Sequence, residues 1–217
     1  MIISRQKDFE EIKHAIDMYG RKVFVVGCGS CAALCQVGGT EQVKEMVQKL
    51  VDAGYEVTGS VVLDEVCDNR IVKKELRKVK DQVDEADAFL TLSCGIGGQS
   101  LVVVHAEKPM VQGTDTIFMG MTERIGRWSQ KCRACGQCFL NETGGICPIT
   151  ACAKSMLNGP CGGTVDGKCE AHNYEEPCGW IRIYERLKAL GKLELFSKYR
   201  EPLDWSELGR QQKHYVR

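Results

Sequence analysis

KVFVVGCGSCAALCQVGG, residues 22–39, opens with a β-branched apolar run, Lys22 to Val26, of the kind that lies buried in a parallel sheet. It ends in a turn crowded with glycine and cysteine. Gly27, Gly29 and Ala32 satisfy G-x-G-x-x-A directly after the strand, which is the pattern of a dinucleotide-binding turn. The same turn holds Cys28, Cys31 and Cys35, and a helical period begins only after Gly38 and Gly39. A phosphate cradle needs its helix to start at the glycines. A metal or cluster site is therefore the preferred reading, with an NAD(P)-dependent reductase and buried structural cysteines as the alternatives.

Outward from this turn the chain alternates between helix and strand. Upstream, Phe9, Ile12, Ile16 and Tyr19 recur at helical spacing between Lys7 and Tyr19, and Gly20 ends that helix. Downstream, Thr40 caps a helix whose stripe is Val43, Met46, Val47, Leu50 and Val51, closed by Gly54. A strand is expected over Glu56 to Leu63, a helix over Ile71 to Val83 and a strand over Ala88 to Leu92. A helix over Gln99 to Ala106, a short strand over Pro109 to Gln112 and a helical link over Ile117 to Trp128 follow. This pattern predicts an α/β fold with an open, mostly parallel sheet, Rossmann-like or flavodoxin-like. Cys67 and Cys94 then fall beyond the carboxyl ends of two strands, on the same edge as Cys28, Cys31 and Cys35, where sites of such sheets assemble. Five thiols exceed the four positions of a four-iron cluster. Cys28, Cys31, Cys35 and Cys94 are the expected ligands, with Cys67 as substitute for one of them. His105 is read as a half-buried histidine and carries no role.

Between Trp128 and Trp180 lie Cys132, Cys135, Cys138, Cys147, Cys152, Cys161, Cys169 and Cys178, eight thiols in 47 residues. The first four read C-x2-C-x2-C-x8-C-P, and two-residue spacers let successive thiolates curl onto one centre. An iron-sulfur run with its trailing proline has this form, although its last spacer is shorter. Structural zinc uses C-x2-C pairs as well. Cys152, Cys161, Cys169 and Cys178 are spread among Gly159, Gly162, Gly163, Gly167 and Gly179 in a stretch with no apolar core, so a second metal, zinc or iron-sulfur, is expected to staple it. Trp180, Ile183, Tyr184, Leu187 and Leu190 then form one helical face. The predicted organisation is an α/β domain over 1–126, a cysteine-rich metal-stapled module with its helix over 127–192, and an extended tail over 193–217. From Ser197 the tail is polar, with Trp205, Leu208 and Tyr215 isolated among charges; it is expected to be disordered or laid on a partner.

The chain of 217 residues carries 29 Lys plus Arg against 29 Asp plus Glu, so no basic excess argues for nucleic acid. The start, MIISRQKDFEEIKHAID, has no apolar signal core, and no run approaches a membrane span. A cytoplasmic protein is expected, its 13 cysteines reduced: three sets of four as metal ligands and one, Cys67, in reserve. No general acid/base pair and no activated nucleophile stands out, and no catalytic residue is assigned.

VGCGSCAALCQVGG, LDEVCD, LSCGIGGQ, CRACGQC, GGICPITACAKSMLNGPCGG and DGKCE together resemble the cysteine-rich small subunit (MetV type) of bacterial methylenetetrahydrofolate reductase, over roughly residues 5–195. The resemblance implies a non-catalytic subunit of an oxidoreductase complex in one-carbon metabolism. In it, two [4Fe-4S] clusters, with zinc as the alternative at the third cysteine set, would pass electrons to a flavin held by a separate barrel subunit. A further protein would supply the electrons. That partner flavin, rather than this chain, would reduce methylenetetrahydrofolate to methyltetrahydrofolate. A zinc-stapled structural subunit of the same complex is the other role the cysteines allow.

Overall fold

The computed structural model describes residues 1–207, in two compact units, Met1–Ser129 and a second beginning at Gln130. In the first unit the chain runs β1 (Ile2–Gln6), α1 (Phe9–Asp17), β2 (Lys22–Cys28), α2 (Cys31–Leu34), α3 (Thr40–Asp52) and β3 (Glu56–Leu63). It continues with α4 (Asn69–Arg77), α5 (Lys80–Glu85), β4 (Ala88–Leu92), α6 (Gly95–Val104), β5 (Met110–Gln112) and β6 (Thr114–Arg124), and β7 (Arg127–Cys132) runs from this unit into the second. The fold is α/β as the sequence predicts: β3, β2, β4 and β5 lie side by side in one parallel four-stranded sheet.

β2 is central, and its alternating side chains feed two apolar layers. Val23 and Val25 pack with Ile12 and Ile16 of α1 and with Val43, Met46 and Leu50 of α3. Phe24 and Val26 face the other way, onto Val72 and Leu76 of α4, Val83 of α5 and Leu101 of α6. Helices thus cover both faces, which is why β2 reads as a continuous apolar run rather than an alternating one. The order β3-β2-β4-β5 sends the connection after β2 to one side and that after β4 to the other. The gap between their carboxyl ends is the switch point at which such sheets build sites.

The glycines of the first turn serve this geometry. Cys28 N donates to Gly38 O at 2.9 Å, drawing the end of the α2–α3 turn back onto the sheet, and a Cβ on Gly38 would collide with the Leu92 carbonyl and the Ala32 side chain. α2 has four residues, and the long helix α3 starts after Gly39, its N-cap.

Three elements depart from the expected pattern. The helix expected over 71–83 is two, because Val79 leaves the helical region (φ −120°) and restarts the chain as the N-cap of α5. The expected helical link over 117–128 is instead a β-hairpin, β6 and β7, turning at Gly126 (φ +81°), and it joins a second sheet of order β1-β6-β7. The residues TDTIF favour a strand, and pairing with a chain segment more than a hundred residues away fixes it as one. That partner, β1, falls in a stretch to which the sequence pattern assigned no element.

The second unit contains α7 (Pro148–Ala151), a two-stranded hairpin of β8 (Thr164–Val165) and β9 (Lys168–Cys169), and α8 (Gly179–Ala189). Its small core centres on fully buried Trp180, with Cys152, Cys178, Ile183 and Leu187. Gly179 lies so close to α7 that a Cβ would strike the Ala151 carbonyl. Within the stretch expected as an extended tail, Arg200 is 3% exposed and Leu203 is buried. The guanidinium of Arg200 donates to the carbonyls of Leu157, Lys198, Glu142 and Leu195 and lies 5.5 Å over the Trp180 ring. Leu208 and Tyr215 lie outside the described residues. No helix among the described residues is long and apolar enough to cross a membrane.

Candidate metal centre

In the first unit five thiols stand at the carboxyl edge of the parallel sheet. Cys28 ends β2, Cys31 opens α2 and Cys35 follows it, Cys67 lies in the loop after β3, and Cys94 is the N-cap of α6. Cys28, Cys35 and Cys94 are buried, Cys31 is half-buried and Cys67 is exposed. Their electrostatics link them as one group. Burial pushes the Cys35 thiol up, the Ser4 amide opposes this, and neighbouring Cys31 and Cys94 add to the rise. Cys67, though exposed, is also raised, by partial loss of solvent around its sulfur and then by Cys94 and Cys28. A buried thiol that holds its proton in this way gives it up to a bound cation.

The turn that carries Cys94 is fixed from beneath. The Ser93 carbonyl accepts from Gln112 Nε2 at 2.5 Å and from the Thr114 hydroxyl, while Ser93 Oγ and Thr91 Oγ1 are 2.8 Å apart. On the other side the Ile2 amide donates to Cys31 Sγ at 3.4 Å, and Cys35 Sγ donates to the Ile2 carbonyl at 3.7 Å. The role of β1 at the site escapes sequence reasoning, since a backbone amide leaves no residue signature.

In the second unit the thiols form two neighbourhoods. Cys132 ends β7, and Lys131 beside it accepts through its carbonyl from Thr150 Oγ1 at 3.2 Å, on the short helix for which Cys147 is the N-cap. Cys135 and Cys138 follow in the loop after Cys132, where Ala134 and Gly136 both take positive φ and curl the chain. Cys152, Cys161, Cys169 and Cys178 are tied together by their surroundings. Glu170, next to Cys169, pairs with Lys154 and accepts from Cys161 Sγ at 3.7 Å. Cys178, the N-cap of α8, donates its amide to Gly167 O at 2.8 Å. Lys154 and Glu170 are two more residues the sequence pattern did not single out.

The donor chemistry fits an iron-sulfur cluster or zinc: every candidate is a sulfur, and in the first unit the Ile2 amide meets one of them. As placed, the side chains are not drawn to one point. Among the described residues no three His, Cys, Asp or Glu groups lie close enough to share a metal ion.

A polar cleft of about 390 Å³ opens at the opposite, amino edge of the sheet, lined by Glu10, Lys13, His14, Asp17, Arg21, Ala53 and Tyr55. No cysteine takes part in it.

Residues 111–206 match the family described as "Methylene-tetrahydrofolate reductase C terminal". No curated protein and no solved structure matches the chain.

Proposed function

We propose that this chain, whose residues 111–206 match the methylene-tetrahydrofolate reductase C-terminal family, is the iron-sulfur electron-transfer subunit of a methylenetetrahydrofolate reductase. The observation that carries the reading is the position of Cys28, Cys31 and Cys35, in the turn after β2, and of Cys94, at the N-cap of α6, on one carboxyl edge of the sheet, with Cys67 in the loop after β3. A cluster held there would accept and release one electron at a time. The chain's own part is to hold the sulfurs, to keep water from the three buried ones and to direct backbone amides at them. Electrons would arrive from a donor protein and leave to the flavin of a barrel subunit that binds the folate.

Cys132, Cys135, Cys138 and Cys147 would hold a second cluster. For Cys152, Cys161, Cys169 and Cys178 a zinc staple is the better supported role. Cys152 and Cys178 are built into the Trp180 core, so a metal there would hold the fold of the unit together.

Protein purified without oxygen is expected to be brown, with acid-labile sulfide for at least one four-iron cluster and zinc at no more than one site. Iron, sulfide and zinc counts with a visible spectrum check this. A colourless protein carrying only zinc would replace the electron-transfer role with that of a scaffold.

A further inference from the structure

β1 is the outer strand of the antiparallel sheet, so among the described residues one of its edges has no strand to bond to. On the paired side, the Met1 amino group donates to Gly120 O and Gly120 N donates to Met1 O, each at 3.0 Å. In an antiparallel ladder the groups of the next residue point the opposite way. Those of Ile2 meet sulfur, its amide donating to Cys31 Sγ at 3.4 Å and its carbonyl accepting from Cys35 Sγ at 3.7 Å. Two residues on, Ser4 pairs with Thr116 of β6, whose hydroxyl accepts from the amide of Gly95, the neighbour of Cys94, at 2.8 Å. A bare strand edge is normally shielded by charge, proline or a covering element. Here the backbone groups of Ile2 are turned onto the thiol site.

Ser4 supplies a second, independent observation. It is 5% exposed, and its hydroxyl has no hydrogen-bond partner among the described residues. Buried hydroxyls are nearly always paired, so one left over beside a thiol cluster points to an acceptor in the loaded site.

We propose that β1 is the hydrogen-bonding strand of the first thiol site: the Ile2 amide and the Ser4 hydroxyl donate to the sulfurs of a cluster held by Cys28, Cys31, Cys35 and Cys94, and so raise its reduction potential. This rests on the iron-sulfur function proposed above. Donors at the sulfurs favour the reduced, more negative state, and cluster potentials follow the hydrogen bonds made to them. Ser4 is thus a positioning residue that acts on the potential without holding iron.

The test is a redox titration of the full-length protein, purified without oxygen, following the paramagnetic signal that a Cys94→Ser variant lacks. That signal isolates this site from the thiols of the second unit. Ser4→Ala is expected to keep the parent's iron and sulfide while its reduced-to-oxidised ratio at the parent's midpoint falls about tenfold, a downward shift of about 59 mV for one electron. Ser4→Thr, which keeps the hydroxyl, is expected to restore the parent's value. An unchanged potential in Ser4→Ala overturns the inference and leaves the proposed function standing; a parent protein without acid-labile sulfide overturns both. If Ser4→Ala binds less iron, Ser4→Thr is compared with Ser4→Val, which differs from it in the hydroxyl alone, and equal potentials in that pair overturn the inference.

Discussion

Tyr55 illustrates how one side chain ties a local contact to the stability of the sheet's amino edge. Its hydroxyl donates to Asp17 Oδ1 at 2.8 Å and its ring lies 4.5 Å under the Arg21 guanidinium, so α1 is joined to the turn that enters β3. Burial, followed by the bond to Asp17, pushes its ionisation up to about 12 from the ordinary 10.0. Because the folded state holds the proton more tightly than the unfolded one, the contribution is complete below pH 10 and is lost as pH rises towards 12. Tyr55→Phe is expected to cost about 1 kcal/mol at neutral pH. Denaturant melts of the two proteins should converge between pH 10 and 12; a gap that stays constant across that window would mean that the phenol contributes packing only. Residue chemistry also explains which parts of the site were legible in the sequence. Thiols announce themselves by type and spacing, and those at strand ends were placed by counting elements. The Ile2 amide and the Lys154–Glu170 pair meet thiols or their neighbours through position alone, as the Ser4 hydroxyl is proposed to do, and position is settled by pairing that no local pattern encodes.

At the scale of elements, α8 is held as much by the segment after it as by its own stripe. Trp180 Nε1 donates to Met156 O at 2.8 Å, the Phe196 ring meets the indole edge-on at 5.6 Å, and buried Arg200 covers it while bonding four carbonyls. Arg200 Nε lies 3.1 Å from Glu142 Oε2, an ion pair made without hydrogen-bond alignment. Arg200→Ala would strand those carbonyls and remove the cover from Trp180, at a cost on the order of 3 kcal/mol. Amide exchange should quicken across Gly179–Ala189 while β2 and β4 keep their protection; unchanged exchange in α8 would show that the segment around Arg200 does not latch it. The legible elements were those with their own apolar period. α1, α3, α8 and the four parallel strands carry it, and each appears close to its expected bounds. The unforeseen ones owe their form to distant partners. β1 and β6 pair across more than a hundred residues, and the break between α4 and α5 falls within a charged run whose period continues through it.

At the scale of the whole molecule, the proposed electron-transfer role decides what kind of partner the chain would need. The parallel sheet spends its switch point on thiols, and the glycines of the first turn are taken up by close backbone approach to the sheet. Hydride transfer to a folate would need a nearby flavin or nicotinamide, and converting a methylene to a methyl group takes two electrons and two protons. A one-electron carrier supplies the two electrons only in two turns, to an acceptor that stores both and takes its protons from solvent. The acceptor expected is therefore a flavin on a docked partner, against the face bearing Cys28, Cys31, Cys35 and Cys94 or against the cysteine module. Mixing the anaerobically purified chain with a flavin-containing methylenetetrahydrofolate reductase barrel should give co-elution, and chemical reduction of the clusters should then bleach the flavin absorbance. Co-elution without bleaching would leave this chain as a scaffold. Failure to associate would mean that the family match of residues 111–206 does not extend to the assembly.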